Sequence, residues 1–105
     1  MAKRYKRVHC KDGFSISVQA HDGAYCTPRI DGAKKYTEVE LGFPSQRDEL
    51  IMRYAEQPEK PTHTVYGYVP STEVYVLLTK HGGIAKGEVP AGIPLYEHTH
   101  PRREE

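Results

Sequence analysis

The residues in this chain that could do chemistry are two cysteines, six histidines and a scatter of carboxylates. Zinc needs ligands that converge on one ion, usually announced by C-x2-C or H-x3-H spacing. Cys10 and Cys26 are sixteen residues apart, and the histidine spacings are wrong except for the loose His98-Thr99-His100 pair. Two ligands on one short segment bind weakly, so the expected metal and cofactor content is none. His81 stands immediately before Gly82-Gly83, where the last turn of a helix favours an imidazolium through the helix dipole. That position explains the residue without catalysis. Nucleophile and phosphate motifs (G-x-S-x-G, G-x-x-x-x-G-K, H-E-x-x-H) do not occur, and no carboxylate pair sits in a recognisable acid and base context. The chain reads as a binding protein, not an enzyme, with no catalytic residue to name.

Two groups suit binding. Lys3, Arg4, Lys6 and Arg7 form a basic N-terminal cluster, and clustered cations bind phosphate chains without regard to sequence. If they lie on a strand, alternate side chains split between its faces, and cations on an edge strand also guard against unwanted pairing. The second group is aromatic. Eight tyrosines occur against no tryptophan, and exposed tyrosine anchors interfaces because it covers much area at little entropic cost. Alternation over 62–69 puts Tyr66 and Tyr68 on one face. If Val65 and Val69 point inward, those tyrosines lie outside, near Tyr36, Glu38 and Glu40, and the five make the expected protein interface. The opposite arrangement, with the tyrosines covering the core, is equally open to this pattern.

The elements that must hold these residues follow from turns and periodicity. Asp-Gly occurs at 12–13, 22–23 and 31–32, a dipeptide that marks tight turns. A three-residue connection at Lys11-Asp12-Gly13 pairs Cys10 with Phe14 and Val8 with Ile16, gathering Val8, Cys10, Phe14, Ile16 and Val18 on one face. The same logic at His21-Asp22-Gly23 pairs Val18 with Cys26. A meander of strands near 4–10, 14–20 and 24–27 results, with Pro28 ending the last. Its register holds the two thiols about 16 Å apart.

Residues 36–43 alternate cleanly as a further strand. Residues 45–57 read as a helix capped by Ser45 with Asp48 and Glu49 in its first turn, although Leu50, Met52 and Tyr54 also alternate as an extended chain would. A strand over 62–69 and a helix from Pro70-Ser71 to about His81 follow, the latter with Val74, Leu77, Leu78 and His81 at helical spacing and a glycine stop. A short strand near 84–89 completes the list. The expected class is α+β, an antiparallel meander of three N-terminal strands plus two or three later strands, packed with one or two α-helices. The expected domain is 1–89, with 90–105 as a mobile tail.

With 105 residues there is room for one core. No apolar run reaches the roughly 18 residues of a membrane span, and neither a signal peptide nor a secreted disulfide framework is indicated. A cytoplasmic location and reduced thiols are expected. The net charge of +1 conceals a polarity: residues 1–36 carry +5 and residues 37–105 carry −4, a dipole able to orient an incoming partner.

Lys6-Arg7-Val8, Asp12-Gly13-Phe14-Ser15, Ser17-Val18-Gln19-Ala20, Tyr25-Cys26-Thr27-Pro28-Arg29, Gly42-Phe43-Pro44-Ser45, Thr64-Val65-Tyr66-Gly67-Tyr68-Val69-Pro70 and Lys80-His81-Gly82-Gly83 together resemble a group of small uncharacterised accessory proteins of tailed bacteriophages, over roughly residues 4–84. The resemblance implies a context, not a site. Small phage proteins without catalytic motifs often occupy the surface of a host protein, as anti-CRISPR and other counter-defence inhibitors do. The expected function is therefore a host-protein inhibitor acting in the host cell. The alternatives are a nucleic-acid-binding accessory protein using the N-terminal cations, and a structural component that assembles with itself, a homodimer included.

Overall fold

The structure is a computed structural model and describes residues 3–94. Five strands, β1 (Val8–Cys10), β2 (Ser15–Gln19), β3 (Glu38–Gly42), β4 (Val65–Pro70) and β5 (Ile84–Lys86), form one antiparallel sheet in the order β4-β3-β2-β1-β5. A 3-10 segment, Glu49–Tyr54, lies between β3 and β4, and one helix, α1 (Ser71–Lys80), joins β4 to β5. The fold is α+β. Among the described residues no helix is long and apolar enough to cross a membrane.

The first hairpin has the register that its loop demands. Val8 faces Ile16, the amide of Cys10 donates to the Phe14 carbonyl, and Gly13 takes a φ of +99°. Val8, Cys10, Phe14, Ile16 and Val18 are all buried, as that register requires, and pack in one cluster with Val39, Leu41, Val69, Ile51 and the helix residues Val74, Leu77 and Leu78.

The second Asp-Gly turn does not make a hairpin. Residues 24–27 stay outside the sheet except for a bridge from Thr27 to Glu38, and β2 pairs instead with β3, placing Val18 opposite Leu41. Two competitors win here. The Cys26 amide turns back to the Ala24 carbonyl, while the Tyr25 amide donates to the Glu40 carboxylate, so the segment is spent on local and side-chain bonds. Glu38-Val-Glu-Leu, with its clean alternation, is the better strand. Cys26 therefore does not face Val18, and the separation inferred from that pairing has no basis. Both thiols are nonetheless buried and free.

The expected helix over 45–57 is a six-residue 3-10 segment, and its cap is Asp48, whose carboxylate accepts from the Leu50 amide. Ser45 is committed elsewhere: its amide and hydroxyl bond the Ser15 carbonyl and amide. Three residues per turn bury Ile51 and half-bury Leu50, Met52 and Tyr54, which is why the sequence carries both periodicities.

Helix α1 ends as its two glycines dictate. The Gly83 amide returns to the Leu78 carbonyl and the Gly82 amide to that of Thr79, with φ of +88° and +91°; this is the paired closure that left-handed glycines permit. Beyond β5 the chain remains docked through Ile93, which is buried, and the Tyr36 amide donates to the Ala91 carbonyl. The remainder of the segment expected as a tail, including His98 and His100, lies outside the described residues.

Candidate functional site: a tyrosine-lined groove

Strand β4 is where alternation fails and a site appears. Val39 faces Val69 and Leu41 faces Tyr66, so two residues of β4, Gly67 and Tyr68, stand against Glu40 alone. This is a β-bulge, which re-aims a side chain by adding one residue to a strand. Tyr68 takes a φ of +52°, a left-handed conformation that costs a side-chain-bearing residue about 1–2 kcal/mol. Its amide leaves the ladder and donates to the Tyr25 carbonyl. The bulge thus lets Tyr66 and Val69 both point inward while Tyr68 points out.

Tyr68 is 43% exposed and Tyr25 39%. Their ring centroids are 5.9 Å apart at 34°. The pair fits because residue 67 is glycine: a Cβ there would approach the Tyr25 Cβ to 3.1 Å. Together with Tyr54, Glu56, Val65 and Gly67 they line an open groove of about 260 Å³. That is smaller than the usual small-molecule site and suits one protruding side chain. The Tyr25, Tyr54 and Tyr68 hydroxyls and the Glu56 carboxylate make no hydrogen bond or ion pair among the described residues.

The expected interface is therefore redrawn. Tyr36 and Tyr66 are fully buried and cannot anchor a partner: the Tyr36 hydroxyl donates to the Ile30 carbonyl and the Tyr66 hydroxyl to that of Pro61. Tyr66 turns inward because of the bulge, and Tyr36 because it precedes β3 and escapes its alternation. Glu38 and Glu40 are occupied from within, accepting from the Thr27 hydroxyl and the Tyr25 amide. Of the five, Tyr68 alone belongs to the groove. Tyr25 and Tyr54 were missed; the signal was the Gly67 beside two tyrosines, a gap of one residue in which a neighbouring ring can lie.

The cationic candidates are largely engaged. The Arg7 guanidinium donates to the Ser15 hydroxyl and carbonyl and to the Phe43 carbonyl. Lys3 pairs with Glu88 at 3.5 Å and lies 5.2 Å from the Tyr5 ring centre. Arg4 and Lys6 are exposed. The residues do not form one open basic face.

A second constellation lies at the C-terminal end of α1. His81, 4% exposed, is stacked on Phe14 at 3.9 Å, with Nδ1 2.7 Å from Asp12 and Nε2 2.7 Å from Asp48. Asp48 also receives the Leu50 amide and Lys80. Burial raises the Asp48 pKa, but the bonds from His81, Leu50 and Lys80 outweigh it and hold the carboxyl below its ordinary range. The Phe14 amide, then His81, lowers that of Asp12. Each ring nitrogen thus has a carboxylate oxygen as its partner. Among the described residues no hydroxyl or thiol joins this array, which clamps three distant segments together, and both ring nitrogens are engaged within it.

The thiols are not poised nucleophiles. Burial, helped by Asp12, pushes the Cys10 pKa up to about 11, and burial raises that of Cys26, whose thiol donates to the His21 and Pro28 carbonyls. Donor atoms of His21, Asp22 and Asp31 lie within 4.8 Å of one another, a group that local spacing did not announce. His21 Nδ1 already accepts the Gly23 amide and Asp31 the Asp22 amide, so turn hydrogen bonds account for their proximity.

Comparison with known proteins finds no matching family model, no similar curated protein and no similar solved structure.

Proposed function

We propose that this chain is a binding protein that docks on another protein through the Tyr25–Tyr54–Tyr68 groove and blocks it. The context suggested by the phage resemblance makes that partner a host protein, with a defence component as the favoured target. The observation that carries the reading is Tyr68 itself: a large apolar ring held out in solvent, on a left-handed backbone, with its hydroxyl unused. Strain of this kind persists only where surrounding structure enforces it, and it concentrates at ligand-contacting positions. Nucleic-acid binding has weaker support, because Arg7 and Lys3 already serve the fold.

The test is capture on the immobilised full chain from host lysate, followed by affinity measurement with the purified partner. Tyr68→Ala and Tyr25→Ala are each expected to weaken binding by more than about tenfold, the size of an interface anchor. A partner held equally by both variants would overturn the reading, as would capture of nucleic acid alone, lost on reversing Lys3 and Lys6. Self-association that survives both substitutions in light scattering would also overturn it, in favour of an assembling component.

A further inference from the structure

The groove's lining specifies the chemistry of what enters it. Three phenol rings present electron-rich faces, Glu56 contributes a carboxylate with no partner of its own, and no Lys, Arg or His lines the wall. Such a surface attracts a cation: ring quadrupole and carboxylate act in the same direction. We infer that the groove receives a single arginine side chain projecting from the partner protein, an assignment that rests on the protein-binding reading above and deepens it.

Three observations select arginine over other cations. The groove's volume, about 260 Å³, admits one long side chain and little else. Tyr25 and Tyr68 touch one another at 5.9 Å between centroids, so no group fits between them; they form a wall, not the closed box that encloses a quaternary ammonium. A planar guanidinium lies flat on such a wall and still directs its forked N–H groups to a carboxylate at the side, whereas an ammonium offers neither plane nor fork. The same rings already accept guanidinium groups from this chain: Arg29 lies 5.3 Å from the Tyr25 centre and Arg53 5.7 Å from that of Tyr54, neither one lining the groove. Both arginines are exposed, so solvent and salt screen their repulsion. Glu56 is the residue that tips the groove itself toward positive charge.

The experiment uses the full chain and needs no identified partner. The isotopically labelled protein is titrated with N-acetyl-arginine methylamide, with its neutral citrulline isostere, and with the lysine and trimethyllysine analogues, following amide shifts by NMR. The arginine compound is expected to bind in the millimolar range, with shifts concentrated at Tyr25, Tyr54, Glu56, Gly67 and Tyr68. The citrulline and lysine compounds should bind at least about fivefold more weakly. Glu56→Gln, an exposed change expected to leave the remaining spectrum in place, should abolish the preference for arginine over citrulline. Equal binding of arginine and citrulline overturns the inference, as do tighter binding of trimethyllysine and shifts located elsewhere or absent throughout. Failure here leaves a partner whose affinity depends on Tyr68 standing; failure of the Tyr68 and Tyr25 variants to weaken partner binding removes the docking face itself.

Discussion

The two ends of α1 and its neighbouring loops treat costly groups in opposite ways. At the His81 end an imidazole and two carboxylates are brought together, and every polar atom of the ring and of Asp48 has a partner. At the Tyr68 end a strained residue exposes its ring, and three hydroxyls and a carboxylate go unused. A satisfied polar array in the interior serves the fold. Hydroxyls and a carboxylate left without partners at the surface serve no contact within it.

The largest effect is expected from breaking the clamp. His81→Ala takes from the Asp48 carboxylate, whose side chain is 2% exposed, the imidazole at 2.7 Å from its Oδ2, and leaving a buried charged oxygen without its hydrogen-bond partner costs about 3 kcal/mol. A domain of this size has about 5–15 kcal/mol in total, so urea denaturation should show a protein near the edge of unfolding. A loss below about 1 kcal/mol would make the clamp incidental.

Acid should act on the same array. Asp12 and Asp48 titrate below their ordinary values when folded, so the unfolded chain takes up protons first as pH falls. The stability they supply is complete above the usual carboxylate range, near pH 4, and is lost progressively as pH descends through the depressed folded values. Denaturation midpoints measured between pH 7 and pH 2 should fall at the acid end, and Asp12→Asn should flatten that fall. An unchanged slope would locate the acid sensitivity elsewhere, with Glu88, also depressed, as the next group to examine.

The smallest effect on stability and the sharpest on function should come from Tyr68→Gly. Glycine removes the left-handed penalty of about 1–2 kcal/mol while forfeiting the contact with Tyr25, so thermal stability should stay within about 1 kcal/mol of the parent. Partner affinity should drop as it does for Tyr68→Ala. If Tyr68→Gly binds normally, the exposed ring is a by-product of the bulge and the contrast between the two regions dissolves.

The hairpin at Lys11-Asp12-Gly13 and the helix over 71–80 were readable because their determinants are local: a turn dipeptide with a fixed register, and a 3.6-residue period closed by two glycines. The groove was only half readable. A period of two assigns Tyr66 and Tyr68 to one face, and nothing in Thr64-Val-Tyr-Gly-Tyr-Val announces that one residue is looped out between Tyr66 and Val69. The clamp was the least visible, since His81 meets its carboxylates across 69 and 33 residues of chain. Its location at a helix end was evident, but neither Asp12, hidden in a turn signal, nor Asp48, read as a first-turn acid, pointed to it.

The order in which the segments come together bears on synthesis. Asp12 and Asp48 leave the ribosome long before His81, β1 waits for Ile84–Lys86 to cover its outer edge, and the amide of Tyr36 finds its acceptor only at Ala91. A nascent chain interrupted before residue 81 has most of its sheet sequence but neither the imidazole nor the last strand that fasten it. Folding is therefore held until the chain has passed residue 91, and termination upstream of that point should yield fragments that proteases clear.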